Sequence, residues 1–147
     1  MKAVVQRVSK ARVTKKEELL GVIEKGLMVL VGIEKGDGEK EVEKMGRRIK
    51  ELRIFSSAQK EIDCSVEAVA GDILLVPQFT LCTNDEKSGR RPSFGKAAPP
   101  EKARNLYLKL VAYLRNNFSG TVATGEFGAA MKVSLINDGP VTIILQE

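Results

Sequence analysis

Apolar and polar positions largely alternate through residues 2–14, and Val4, Val5, Val8 and Val13 dominate that stretch. A period near two with β-branched residues predicts a long strand, or two strands with a bend. Leu19 to Glu24 reads as a short strand, with a turn at Gly26. The run GLMVLVGI, residues 26–33, is apolar throughout and of strand length, which predicts a strand buried on both faces. The period then changes. After Gly36, Asp37 and Gly38, the residues Val42, Met45, Ile49 and Leu52 recur at helical spacing with charges between them, predicting a helix over about 39–53. Its basic residues form a solvated face, from which Arg47 and Arg48 could reach phosphate.

Residues 56–71 are irregular, with a short strand expected near Ser65 to Glu67 and a turn at Gly71-Asp72. Ile73 to Val76 is a buried strand that Pro77 closes, because proline cannot donate to a ladder. Residues 84–100 make one long loop, of a length that is often functional. Pro99-Pro100 opens a second helix, whose face is Ala103, Leu106, Tyr107, Leu110, Val111 and Leu114, read as core. Three strands follow: 121–124, 131–136 and 141–145, the last two separated by a dense turn, Asn137-Asp138-Gly139-Pro140. Mostly strand with two inserted helices is an α+β pattern, sheet on sheet with helices on one face.

At 147 residues the chain fits one domain, 1–147. A hydrophobic fraction of 43% and a charged fraction of 29% are those of an ordinary globular protein. No apolar run reaches the roughly 18 residues of a membrane span. The first residues carry no signal-peptide core, so a cytoplasmic location is expected. Cys64 and Cys82 form no C-x-x-C pair and read as reduced, packed thiols. The sequence contains no histidine, which excludes Ser-His-Asp and Cys-His chemistry and any His-ligated metal. The net charge of +5 and pI near 9.3 favour a polyanionic partner.

Two segments place exposed backbone and small polar groups at strand ends. They are Pro77-Gln78-Phe79-Thr80-Leu81 and Asn137-Asp138-Gly139-Pro140-Val141-Thr142. Alone, each is an ordinary turn. Together with VVQRVSKARVT, GLMVLVGIEKGD, RIFS at 53–56, RRPSF at 90–94 and TGEFGAAMKVSLINDGPVT, they make the chain resemble the D-aminoacyl-tRNA deacylase family along its whole length.

The resemblance implies a three-layer α/β/β fold. Mostly antiparallel or mixed sheets would form a barrel-like core, with two main helices on one face. It implies a homodimer, no cofactor, and a site for the aminoacylated 3′-terminal adenosine of tRNA. Gly139 and Pro140, in cis, would reach into the partner's site as a chiral filter. Asn137 would frame that turn and Arg7 would hold it, while Gln78, Phe79 and Thr80 line the catalytic pocket. Pro77 stands where the family usually has serine, so whatever that hydroxyl does is absent here.

Without histidine, the oxyanion of ester hydrolysis would be met by the backbone N–H groups of Phe79 and Thr80, helped by a ribose hydroxyl of the substrate. Thr80 as a covalent nucleophile is the competing route, and it needs a base. Glycine has no side chain to exclude, so glycyl-tRNA is an expected substrate. The loop residues Lys87, Arg90, Arg91 and Lys96, with Phe94 among them, suit the tRNA 3′ end: cations for phosphate, a ring for stacking. The rival readings are a non-catalytic RNA-binding module, a small esterase or amidase acting on a substrate other than RNA, and an assembly subunit with a dead site.

Overall fold

The computed structural model describes residues 1–84 and 90–147. In chain order the elements are β1 (Lys2–Lys15), β2 (Glu18–Ile23), β3 (Gly26–Gly32), α1 (Glu39–Glu51), β4 (Asp72–Pro77), α2 (Pro100–Asn117), β5 (Val122–Thr124) and β6 (Lys132–Gln146). A single 3-10 turn, Phe79–Leu81, follows β4. The six strands form one sheet ordered β2-β1-β3-β4-β5, and β6 pairs with the other edge of β1.

The pairing of β1 with β2, β3 and β6 is antiparallel, whereas β3-β4 and β4-β5 are parallel. Parallel neighbours need a crossover. The two helices lie in the β3-to-β4 and β4-to-β5 connections, and they pack on the same face of the sheet.

The continuous apolar runs of β3 and β4 follow from this layering. Leu27, Val29, Val31, Ile73 and Leu75 face the helices, in a core with Met45, Ile49, Tyr107, Leu110 and Leu114. Met28, Leu74 and Val76 point the other way, into a second core with Val8, Ala11, Val13 and Ile23. β1 serves both cores by changing phase. Ala3 and Val5 belong to the first, Ala11 and Val13 to the second, and pairing irregularities with β6 fall between Gln6 and Lys10. β2 curls back toward β5, where a Cβ on Gly21 would lie 3.1 Å from the Thr124 carbonyl oxygen. The result is a nearly closed, barrel-like sheet with the helices outside it, the layered α+β arrangement expected.

Four details differ from the sequence reading. No strand forms at 65–67: a turn spans 66–70, and of this region only Cys64 makes an isolated bridge, to Phe55. Gly26 begins β3 and is not itself the turn, which falls at residues 24–25. α1 ends at Glu51, because Leu52 is already extended (φ −61°, ψ 119°). The dense turn at 137–140 does not reverse the chain either. β6 runs through it, and both halves pair with β1: Ala11↔Leu135 on one side, Gln6↔Thr142 on the other. Between the pairs Val8↔Asn137 and Gln6↔Thr142, Arg7 faces four residues, so Asp138-Gly139-Pro140-Val141 is a large bulge. Turn-forming composition marks departure from the ladder equally well in a bulge and in a hairpin, and composition alone does not separate the two.

Candidate active site

The end of β4 is fastened from two sides. The Gln78 N–H donates to the Val31 carbonyl at 2.7 Å, continuing the parallel ladder one residue past Pro77. The chain then tightens into the Phe79–Leu81 turn, whose bonds run from Leu81 N–H to Gln78 O and from Cys82 N–H to Phe79 O. That turn lies directly against Gly32: a Cβ there would stand 2.8 Å from Cys82 Sγ and 2.9 Å from Gln78 O. Cys82 is fully buried beneath it, and burial pushes its thiol up to about 11. Among the described residues, no group accepts a hydrogen bond from the amides of Phe79 or Thr80. The first N–H groups of any helical turn lack intrahelical partners, so both remain available to a ligand.

Beside this turn opens a cavity of about 490 Å³, walled by Val76, Pro77, Gln78 and Phe79, by Ala98, Pro100 and Ala103 at the start of α2, and by Phe127, Met131 and Val133. Its lining is predominantly apolar. Tyr107 ties its walls together from below: the hydroxyl donates to Leu75 O at 2.9 Å, with Gly125 O 3.4 Å away, and the ring packs against Phe127 at 6.1 Å. Burial raises the Tyr107 pKa, so the phenol stays a donor. Gln78 Nε2 donates to Thr80 Oγ1 at 2.6 Å, and Phe79 is 60% exposed at the rim.

Of the residues expected from sequence, Gln78 and Phe79 line this cavity and Thr80 sits on the same turn. Phe94 packs edge-on to Phe79, with centroids 5.2 Å apart, which holds the chain around Phe94 at the rim. Arg90 and Arg91 are exposed near the start of that segment; Lys96 faces a separate cleft; Lys87 lies outside the described residues.

Gly139, Pro140, Asn137 and Arg7 form a second constellation. The Gly139-Pro140 bond is cis, and Gly139 has φ +131°. Arg7 Nε donates to Asp138 O at 2.9 Å, while Arg7 Nη1 donates to Ile54 O at 2.8 Å. Asn137 Oδ1 accepts from Val141 N–H at 3.0 Å, and Asn137 Nδ2 donates to Thr142 Oγ1 at 2.9 Å. Two side chains thus fix the main chain on either side of the Gly-Pro bulge.

None of these four residues lines the cavity. In the sheet the bulge lies on β6 and the Phe79 turn at the end of β4, with β1 and β3 between them. Three strand spacings amount to roughly 14 Å, so one protomer keeps the two motifs apart.

Sequence reasoning passed over Gly32, Ala98, Pro100, Phe127, Met131 and Val133, and it gave Ala103 wholly to the core. Phe127 and Met131 fall in a stretch whose likeness to the family was noted without assigning them a role. An apolar wall and an apolar core have the same composition.

At this strand end, two amides without acceptors among the described residues thus stand beside an apolar cavity, in a chain without histidine. Comparison with known proteins makes this specific. Residues 4–146 match the family model described as D-Tyr-tRNA(Tyr) deacylase. The D-aminoacyl-tRNA deacylase of Geobacter metallireducens is 50% identical over 147 residues, covering 100% of this chain and 96% of that protein. That of Thermosipho melanesiensis is 48% identical, covering 100% and 97%. A solved c-Myc DNA unwinding element binding protein superposes with a TM-score of 0.93 at 41% identity, covering 100% of this chain and 99% of that one. A probable eukaryotic D-amino acid tRNA deacylase, at 17% identity and a TM-score of 0.81, shares the fold over 98% of this chain and 97% of its own. The chain belongs to the D-Tyr-tRNA(Tyr) deacylase family.

Proposed function

We propose that the chain removes D-amino acids, and glycine, from tRNA by main-chain oxyanion stabilisation in the cavity beside Phe79, with the Gly139-Pro140 bulge of a second copy acting as the chiral filter. Membership of the family makes it a hydrolase of the aminoacyl-tRNA ester. The finer reading rests on one observation: the amides of Phe79 and Thr80 are without acceptors among the described residues, at the mouth of an apolar cavity.

The apolar cavity suits the base of the terminal adenosine, and Phe79 and Phe94 at its rim offer ring faces for stacking. With the ester carbonyl over the turn, the two amides meet the developing oxyanion. Each such donor is worth about 2.7–4 kcal/mol in a preorganised site. Water attacks the carbonyl carbon, and the neighbouring ribose hydroxyl assists its proton transfer. Thr80 serves as a polar neighbour and not as the nucleophile. Its oxygen already accepts from Gln78, and among the described residues no base receives its proton.

The filter needs two copies, because one protomer holds its motifs on separate strands. Among the described residues the outer edge of β6 is unpaired, and Ile136 and Ile144 on that strand are 60% and 74% exposed. Such an edge invites association with another chain. Across that contact the Gly139 carbonyl would accept from the substrate ammonium, and the bulge would fill the space an L side chain needs. We place this activity in a single 1–147 domain, without a cofactor, in the cytoplasm, where charged tRNA resides.

Release of amino acid from D-, L- and glycyl-tRNA tests the reading. D- and glycyl esters should be cleaved and L-esters spared; equal cleavage of L-esters removes the filter. Thr80→Val should keep kcat within about tenfold; were Thr80 the nucleophile, the variant would lose several orders of magnitude and the wild type would form a trappable acyl-enzyme.

A further inference from the structure

The segment Phe94–Pro100 has two sides. Ala98 and Pro100 face the apolar cavity, and Gly95 and Lys96 face a separate open cleft of about 390 Å³. The segment is strapped to the end of β3: Lys35 N–H donates to Lys96 O at 3.0 Å and Ala98 N–H to Ile33 O at 2.9 Å. Lys102 braces the same place by donating to Lys35 O at 2.7 Å. Lys96 and Ala98 are two residues apart, so cavity and cleft lie within about 7 Å along the chain.

The cleft is cationic. Lys2, Lys35 and Lys96 line it, and Glu34 is its one carboxylate. That carboxylate is already engaged, by Lys2 Nζ at 3.5 Å and by the Met1 ammonium at 3.8 Å. Lys35 and Lys96 are exposed and make no ion pair with any described residue. The amides of Gly36 and Lys96 also find no acceptor among the described residues. With Lys2 set against Glu34, the cleft keeps an excess of two ammonium groups, Lys35 and Lys96, beside the free main-chain donors, and that excess matches a phosphate oxyanion.

We propose that this cleft is a second RNA subsite, taking a backbone phosphodiester of the strand whose 3′ end enters the apolar cavity. The proposal rests on the reading of that cavity as the adenosine site. It assigns Lys2 and Lys35, from the N-terminal part of the chain, to the same RNA track as Lys96. It also separates two tasks: the cavity recognises the charged nucleoside, and the cleft holds the strand behind it.

Binding of uncharged tRNA, titrated against salt, tests the subsite. Each true phosphate contact on single-stranded RNA contributes about 0.7 to the slope of log K against log salt. Lys35→Ala and Lys2→Ala should each lower the slope by that amount. Lys109→Ala, which removes a lysine of α2 paired with Glu39, should leave it at the wild-type value. Lys35→Glu should raise KM for D-aminoacyl-tRNA at least several-fold at constant kcat, while an aminoacyl-adenosine, lacking a phosphodiester, should be cleaved as by wild type. Unchanged slopes in both lysine variants, or equal losses on tRNA and aminoacyl-adenosine, overturn the subsite. Failure of the wild type to release any D-amino acid would instead overturn the activity on which it rests.

Discussion

At the scale of single residues, the bulge on β6 depends on two side chains that meet at one point. Gly139 occupies φ +131°, where an L side chain is rarely tolerated, and a Cβ there would stand 2.8 Å from both Arg7 Nη2 and Val141 Cγ2. The same Arg7 guanidinium holds Asp138 O and Ile54 O. Gly139→Ala should therefore displace Arg7 as well as the bulge. Backbone strain of this kind costs about 1–3 kcal/mol. We expect a urea midpoint lowered accordingly and a D/L selectivity that collapses. Unaltered selectivity would mean that the bulge lies away from the substrate. Gly139 and Pro140 were readable in the sequence, and the resemblance pointed to Arg7. The geometry joining them was not, because Arg7 and Asp138 are distant along the chain and their contact exists only when β1 and β6 pair.

At the scale of elements, the Phe79 turn is placed by what lies beneath it. β3 ends in Gly32, and the turn packs onto that glycine with Cys82 Sγ and Gln78 O closer than a methyl group allows. Gly32→Ala must push the turn outward by a few tenths of an ångström or more. Overpacking of this sort costs about 1–3 kcal/mol. The shift also moves the Phe79 and Thr80 amides, so kcat should fall more than KM rises, as measured by steady-state release of D-amino acid. If Gly32→Ala lowers stability but leaves kcat intact, the amides are not the oxyanion donors.

The strands, both helices and Pro77 as a strand end were legible in periodicity and proline chemistry. A bulge and a hairpin turn draw on the same residue types, so the continuity of β6 was not. Nor was the cavity, since Ala103 is both the first apolar position of the α2 stripe and part of the cavity wall.

At the scale of the whole molecule, the separation of the two motifs across β1 and β3 makes cooperation between copies measurable. Gly139→Ala and Gln78→Ala, each weakly active alone, should complement when mixed and re-equilibrated. A heterodimer of a symmetric pair then holds one site with both intact elements, so activity should return to about a quarter of wild type. Absence of recovery after verified exchange of subunits would assign both motifs to one chain.

Stability against acid has its own sign. Gly38 N–H donates to Glu41 at 2.9 Å, Lys109 pairs with Glu39 and Arg48 with Glu147, and these partners hold the three carboxyls below their usual range. A lowered folded-state pKa stabilises at pH above the unfolded value and is lost as pH falls through the folded one. There is no histidine to titrate near neutrality, and Cys82 is pushed up to about 11. The urea midpoint should be level from pH 6 to 8 and fall below about pH 4.5. A midpoint that holds to pH 3 would show that these pairs contribute nothing.

Local chemistry settled much of this protein before any fold was built. Side-chain periodicity specified strands and helices, because a residue's neighbours at two or at three and four positions are set by backbone geometry alone. The lack of histidine narrowed catalysis to main-chain dipoles, hydroxyls, carboxylates, lysines and the substrate, because proton-transfer capacity is a property of residue type. Tertiary structure decided the rest: that β6 passes straight through its bulge, that Gly32 seats the Phe79 turn, that the start of α2 walls a cavity, and that Lys2 and Lys35 gather beside Lys96. Each of these joins residues far apart in the chain, and only the packing of one element on another brings such residues within reach.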